Sequence, residues 1–162
     1  MEYQSRETVE FDAHEGWEFW SECEPGWLYF EEHCYFRGKE YLTWDEAKLQ
    51  CKSQGGYLTE IESRKENEWI INYLAPAYCT HRLWLQCVVW IGANDQENDW
   101  RFVWDWSRRG LTFTNWRWRE PNNYNREEHC VAVTYPWQEW IDLRCWERRP
   151  YVCEKKRPTG SI

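Results

Sequence analysis

Eight cysteines constrain the fold of this 162-residue chain more than any other feature. They are Cys23, Cys34, Cys51, Cys79, Cys87, Cys130, Cys145 and Cys153. The count is even, the spacings are wide, and no C-x-x-C pair occurs. A zinc ribbon or a thioredoxin-type redox site needs such close pairs, so neither is expected. An even, spread set reads as a disulfide framework built in an oxidising compartment, hence a secreted or extracellular protein. Counting alone leaves roughly a hundred pairings open. Met1 to Glu10 is polar and charged, so the expectation is a mature N-terminus rather than a leader.

The length suits one domain. Its 15 Trp, 10 Tyr and 6 Phe supply a core and leave aromatic rings over for the surface. Net charge is -8, which argues against nucleic acid, because phosphate binding needs clustered Lys and Arg. The same balance permits divalent cations. Mean hydropathy is -0.96, and no apolar run approaches the ~20 residues of a membrane span.

Residues 1–22 form an acidic segment with Trp17, Phe19 and Trp20 among the carboxylates. They read as a tail or as an arm for a homo-oligomer. The compact domain is expected over 23–154, with a polar tail at 155–162. Trp27 to Phe30 and His33 to Phe36 read as two strands around a turn. Thr43 with Glu46 forms a capping box that starts one helix, which Gly55 and Gly56 stop. Ser63 with Glu66 starts a second, with Trp69, Ile70, Tyr73 and Leu74 at helical spacing on one face. Val88 to Ile91, Val131 to Thr134 and Tyr151 to Cys153 read as strands. Between them, Asn94 to Pro136 is a long polar, Trp-rich stretch with little period, and such stretches carry function more often than not.

These landmarks resemble the C-type lectin-like family across roughly residues 23–154. The carrying features are Trp90-Ile91-Gly92-Ala93, Glu120-Pro121-Asn122, Trp140-Ile141-Asp142 and the order of the cysteines. The resemblance implies an α+β fold, two helices flanking antiparallel sheets with a long irregular loop region. It implies four disulfides: Cys23–Cys34, Cys51–Cys153, Cys79–Cys87 and Cys130–Cys145. It implies a calcium ion held by Glu120, Asn122, Glu128 and Asp142, with Glu120-Pro121 in cis. Those residue types fit, because calcium takes six to eight oxygen ligands. Two neighbouring sugar hydroxyls then complete the shell, contacting Glu120, Asn122 and Glu128, with Tyr124 and Trp137 against the ring. The E-P-N order resembles lectins of mannose-type preference: mannose, N-acetylglucosamine, fucose.

One departure bears on affinity. The family's Asn before the site Asp is Ile141 here, which removes one oxygen ligand and should weaken the site by roughly tenfold to a hundredfold. An auxiliary calcium site is implied at Asp95, Asp99 and Asn123, with His129 replacing an acidic position; His129 itself reads as a packed or surface histidine. Trp90, Trp104, Trp116 and Trp140 read as core. No enzyme is expected: no G-x-S-x-G, no H-E-x-x-H and no phosphate-cradling glycine loop occurs. The functional expectation is a secreted calcium-dependent lectin in glycan recognition or innate immunity. The alternative is a calcium-independent member of the same fold with a degenerate metal site, or a mineral-associated matrix protein.

Overall fold

The computed structural model describes residues 23–74 and 87–159. The segment 1–22 and its expected role in a homo-oligomer fall outside these, as does Cys79. In chain order the elements are β1 (Leu28–Phe30), β2 (His33–Leu42), α1 (Trp44–Ser53), β3 (Tyr57–Leu58), α2 (Arg64–Leu74), β4 (Val88–Asn94), β5 (Val103–Trp104), β6 (Glu128–Thr134), β7 (Trp140–Arg144) and β8 (Arg149–Lys156). Neither helix is long and apolar enough to cross a membrane.

Both helices start where their caps predict. Thr43 Oγ1 accepts from the Glu46 N–H, and the Glu46 carboxylate accepts from the Thr43 N–H, so both halves of the box are made. On α2 only half is made. Ser63 Oγ accepts from the Glu66 N–H, but the Glu66 carboxylate turns to Glu62 N–H and Tyr35 Oη–H. The apolar face of α2 is Ile70, Ile71 and Leu74; Tyr73, expected on that face, is exposed.

The strands form one mixed sheet in the order β1-β2-β8-β4-β6-β7, with β3 added to β8 and β5 to β4. The expectation of purely antiparallel sheets is corrected at one point: β4 meets β8 in parallel at Trp90 and Tyr151. This follows from the return of the C-terminal strand to the centre of the sheet. Gly92 is required there by close approach. A Cβ at that position would lie 2.7 Å from the Leu58 carbonyl, while Gly92 N–H donates to Thr59 O at 2.8 Å.

Three disulfides are described: Cys23–Cys34, Cys51–Cys153 and Cys130–Cys145. They are three of the four expected pairs. Cys87 is also disulfide-bonded, and its expected partner Cys79 is not among the described residues. Trp90, Trp104 and Trp140 are fully buried, and each anchors one of two apolar clusters on either face of the sheet. Trp116 only borders the core. Trp106, Trp118 and Trp137 are exposed.

A cavity of about 480 Å³ opens between β2, β3, the start of α2 and the 106–109 turn. Glu154 lies at its floor, accepting from Tyr57 Oη, Thr59 Oγ1 and the Glu60 N–H. Glu66 and Glu60 line the same space, with His33 3.8 Å from Glu154 and Lys156 at the wall. Burial, reinforced by Glu66, pushes the Glu154 carboxyl up to about 8. The native state therefore holds a proton that the unfolded chain releases near 4.5. Stability from this group is complete below the lower value and is lost as pH rises through the upper one. Without calcium, the protein should melt at a higher temperature near about pH 5.5 than near about pH 8.5, and Glu154→Gln should shrink that difference. A thermal melt that rises with pH across this window would count against it.

Candidate metal and ligand site

Four expected ligands come from two places. Glu128 opens β6 and Asp142 sits in β7; Glu120 and Asn122 lie in the loop between β5 and β6. Pairing of β6 with β7 sets Glu128 opposite Arg144 and Val131 opposite Asp142. The Cys130–Cys145 disulfide ties the base of this hairpin. The loop is laid along β7 by two backbone bonds, Trp140 N–H to Asn115 O at 2.8 Å and Arg117 N–H to Trp140 O at 3.0 Å, and is turned on itself by Glu120 N–H to Arg117 O at 2.8 Å.

The Glu120-Pro121 bond is cis. Asp142 then accepts from two successive loop amides, Asn122 N–H at 3.0 Å and Asn123 N–H at 2.8 Å. Asn122 Nδ2 donates to Glu120 Oε1 at 2.8 Å, and Tyr124 N–H donates to Glu128 Oε2 at 3.1 Å. Glu120, Asn122, Glu128 and Asp142 are thus joined into one network. Arg119, Asn123, Asn125 and Arg126 all have positive φ, a conformation that non-glycine residues adopt at a cost of about 1–3 kcal/mol each. The loop holds its shape against that strain.

The network has a surplus of negative charge. Glu120 Oε2 is buried with no hydrogen-bond partner. Burial, and then the neighbouring Asp142, pushes the Glu120 carboxyl up to about 8. Burial also raises Glu128, with Asp142 adding to the rise. An orphaned carboxylate oxygen among like charges, beside an amide carbonyl, is a donor set that fits a hard divalent cation.

The other expected residues divide. Tyr124 is 60% exposed at the rim, with the Arg144 guanidinium 5.9 Å from its ring. Trp137 stands apart, in the turn between β6 and β7, at the far end of β6 from Glu128. Six residues of strand separate those ends, roughly 20 Å. Ile141 is 3% exposed and packs with Trp90, Ala132 and Leu143, so the position that loses a ligand is used for packing. Asn123 Oδ1 accepts from Glu128 N–H at 3.2 Å, while Asp95 and Asp99 meet another side chain. Their companion is His129, whose Nδ1 lies 3.0 Å from Asp95 Oδ1 and 3.8 Å from Asp99 Oδ1. Sequence reasoning set His129 aside. The signal available was its place directly after Glu128, where an acidic residue was expected. Among the described residues, Asp95, Asp99 and His129 form the one trio of its kind with ligand atoms all within 4.8 Å of one another. The first network is spread more widely.

Two helices on a mixed sheet, stapled by disulfides and carrying a long loop of oxygen-bearing side chains, define the class of this domain. The family model for the Lectin C-type domain matches residues 40–155, and the chain belongs to that family as a C-type lectin-like carbohydrate-recognition domain. A perlucin-like protein of Mytilus galloprovincialis is 33% identical over 137 residues, covering 81% of this chain and 81% of that protein. C-type mannose receptor 2 of Homo sapiens is 35% identical over 136 residues, covering 83% of this chain but 8% of the receptor. The chain therefore spans less than a tenth of that receptor's length. The mouse scavenger receptor C-type lectin carbohydrate-recognition domain superposes with a TM-score of 0.72 at 29% identity, over 83% of this chain and 98% of that one. A calcium-independent type II antifreeze protein shares the fold, with a TM-score of 0.72 at 24% identity over 83% of this chain and 95% of that one.

Proposed function

We propose that this domain is a secreted lectin that binds mannose-type sugars through a calcium ion held by Glu120, Asn122, Glu128 and Asp142. The observation that carries the reading is the buried, unpartnered Glu120 Oε2 within a network of like charges. Calcium, when bound, neutralises that charge and offers open positions to a vicinal diol. The chain's own groups do the rest. Glu120 and Glu128 accept from sugar hydroxyls, Asn122 Nδ2 donates to one of them, and Tyr124 presents a ring face at the rim. The Asp142 bonds to two loop amides keep these groups at fixed positions before any ligand arrives. The likeness to C-type mannose receptor 2 and the E-P-N order both support mannose over galactose as the first sugar to test.

A second reading has its own support. Ile141 is core and His129 occupies the carboxylate cluster at Asp95, which favours a calcium-independent member with a degenerate site. Retention on immobilised mannose with calcium, followed by elution with a chelator, decides between them. Chelator-sensitive retention is expected; retention that ignores the chelator, or none on any sugar by a folded protein, supports the second reading.

A further inference from the structure

We propose that Trp118 and Arg119 form a second subsite beside Glu120 and Asn122, which takes the neighbouring residue of a glycan when that residue carries an anionic group such as sulfate. The proposal deepens the sugar-binding reading and rests on it.

The two residues are the corner of a turn. Glu120 N–H donates to Arg117 O at 2.8 Å, which puts Trp118 and Arg119 at the second and third positions. Arg117 N–H donates to Trp140 O at 3.0 Å, so the turn is fixed to β7. Trp118 Cα lies within roughly 7 Å of Glu120 Cα, the most that two residues of chain can span. A saccharide ring over Trp118 is therefore the neighbour of one held at Glu120.

The side chains suit such a ring. Trp118 is 78% exposed, the highest value among the large hydrophobic side chains described. The Arg119 guanidinium lies 4.0 Å from the centroid of the Trp118 ring. It covers one face and leaves the other to stack on the apolar face of a sugar. The third position of the turn has a φ of 67°, which favours glycine or asparagine, yet an arginine stands there. Among the described residues Arg119 has no hydrogen-bond or ion-pair partner. By contrast, Arg108, Arg109, Arg144, Arg148 and Arg149 each meet a carboxylate. The acids around the turn are engaged elsewhere. Glu120 holds Asn122 Nδ2 through Oε1 and buries Oε2, and Glu139 lies 3.9 Å from Arg117. A planar guanidinium with free N–H groups matches the paired oxygens of a sulfate or carboxylate. An open aromatic face beside an unpaired cation thus suits an acidic sugar better than a neutral one.

The test compares three ligands as competitors for immobilised mannose in calcium: methyl mannoside, neutral mannobiose, and mannobiose sulfated on its second ring. The wild-type chain should prefer the sulfated disaccharide to methyl mannoside by roughly tenfold or more, the worth of one charge-assisted bond. Arg119→Gln should remove the preference for the sulfated over the neutral disaccharide. Trp118→Ala should remove the preference for either disaccharide over the monosaccharide. Ratios within one variant are insensitive to a general loss of folded protein, so they report on this subsite. A wild-type chain that does not prefer the sulfated disaccharide, or a preference that either variant keeps, overturns the proposal while leaving mannose binding in place. Absence of chelator-sensitive retention of the wild-type chain on mannose overturns the sugar-binding reading and this subsite with it.

Discussion

Glu120→Gln is expected to abolish chelator-sensitive retention on mannose while leaving the calcium-free protein at least as stable as before. The substitution keeps the acceptor that Asn122 Nδ2 uses. It removes the charge on a buried oxygen that has no partner. Losing a charged ligand is worth about 2–3 kcal/mol, which corresponds to a drop in affinity of roughly a hundredfold. The same change removes a carboxyl whose charged form burial and Asp142 disfavour, so the metal-free melt should hold or rise. Wild-type protein should gain thermal stability on adding calcium, by mass action on the native state, and the variant should lose that gain. Two readouts moving in opposite directions separate a binding defect from a folding defect. A variant that still binds mannose and still releases it to a chelator would remove Glu120 from the site.

The second large effect concerns the Cys51–Cys153 bridge. It joins residues 102 apart in sequence, linking α1 to β8 in the middle of the sheet. Cys23–Cys34 closes a separation of only 11. In the chain-entropy account the longer loop stabilises by about 4–5 kcal/mol and the shorter by about 3. Both Cys51 and Cys153 are also fully buried in the main apolar cluster, so their removal disturbs packing as well. The double variant Cys51→Ala/Cys153→Ala should therefore lose about 2 kcal/mol more than Cys23→Ala/Cys34→Ala in a urea titration. Equal losses would mean that loop closure is not what this bridge contributes.

Much of the chain was legible because the relevant forces act locally. Thr43 with Glu46 marks a helix start within three residues, and the observed cap reproduces it. Short apolar runs gave the positions of β4, β6 and β8. The cysteine order, read through the family resemblance, gave the three disulfides now described. What sequence left undecided depends on partners far along the chain. Glu66 completes a capping box by spacing, yet its carboxylate goes to Tyr35, 31 residues away, because burial against β2 outweighs the local bond. Trp137 looks like a sugar-facing ring until the β6–β7 register carries it to the far end of the hairpin. His129 looks ordinary until β4 and β6 set it against Asp95, 34 residues distant. Local patterns fix which elements form; the pairing of distant strands decides which charges must share one buried space, and function follows from that sharing.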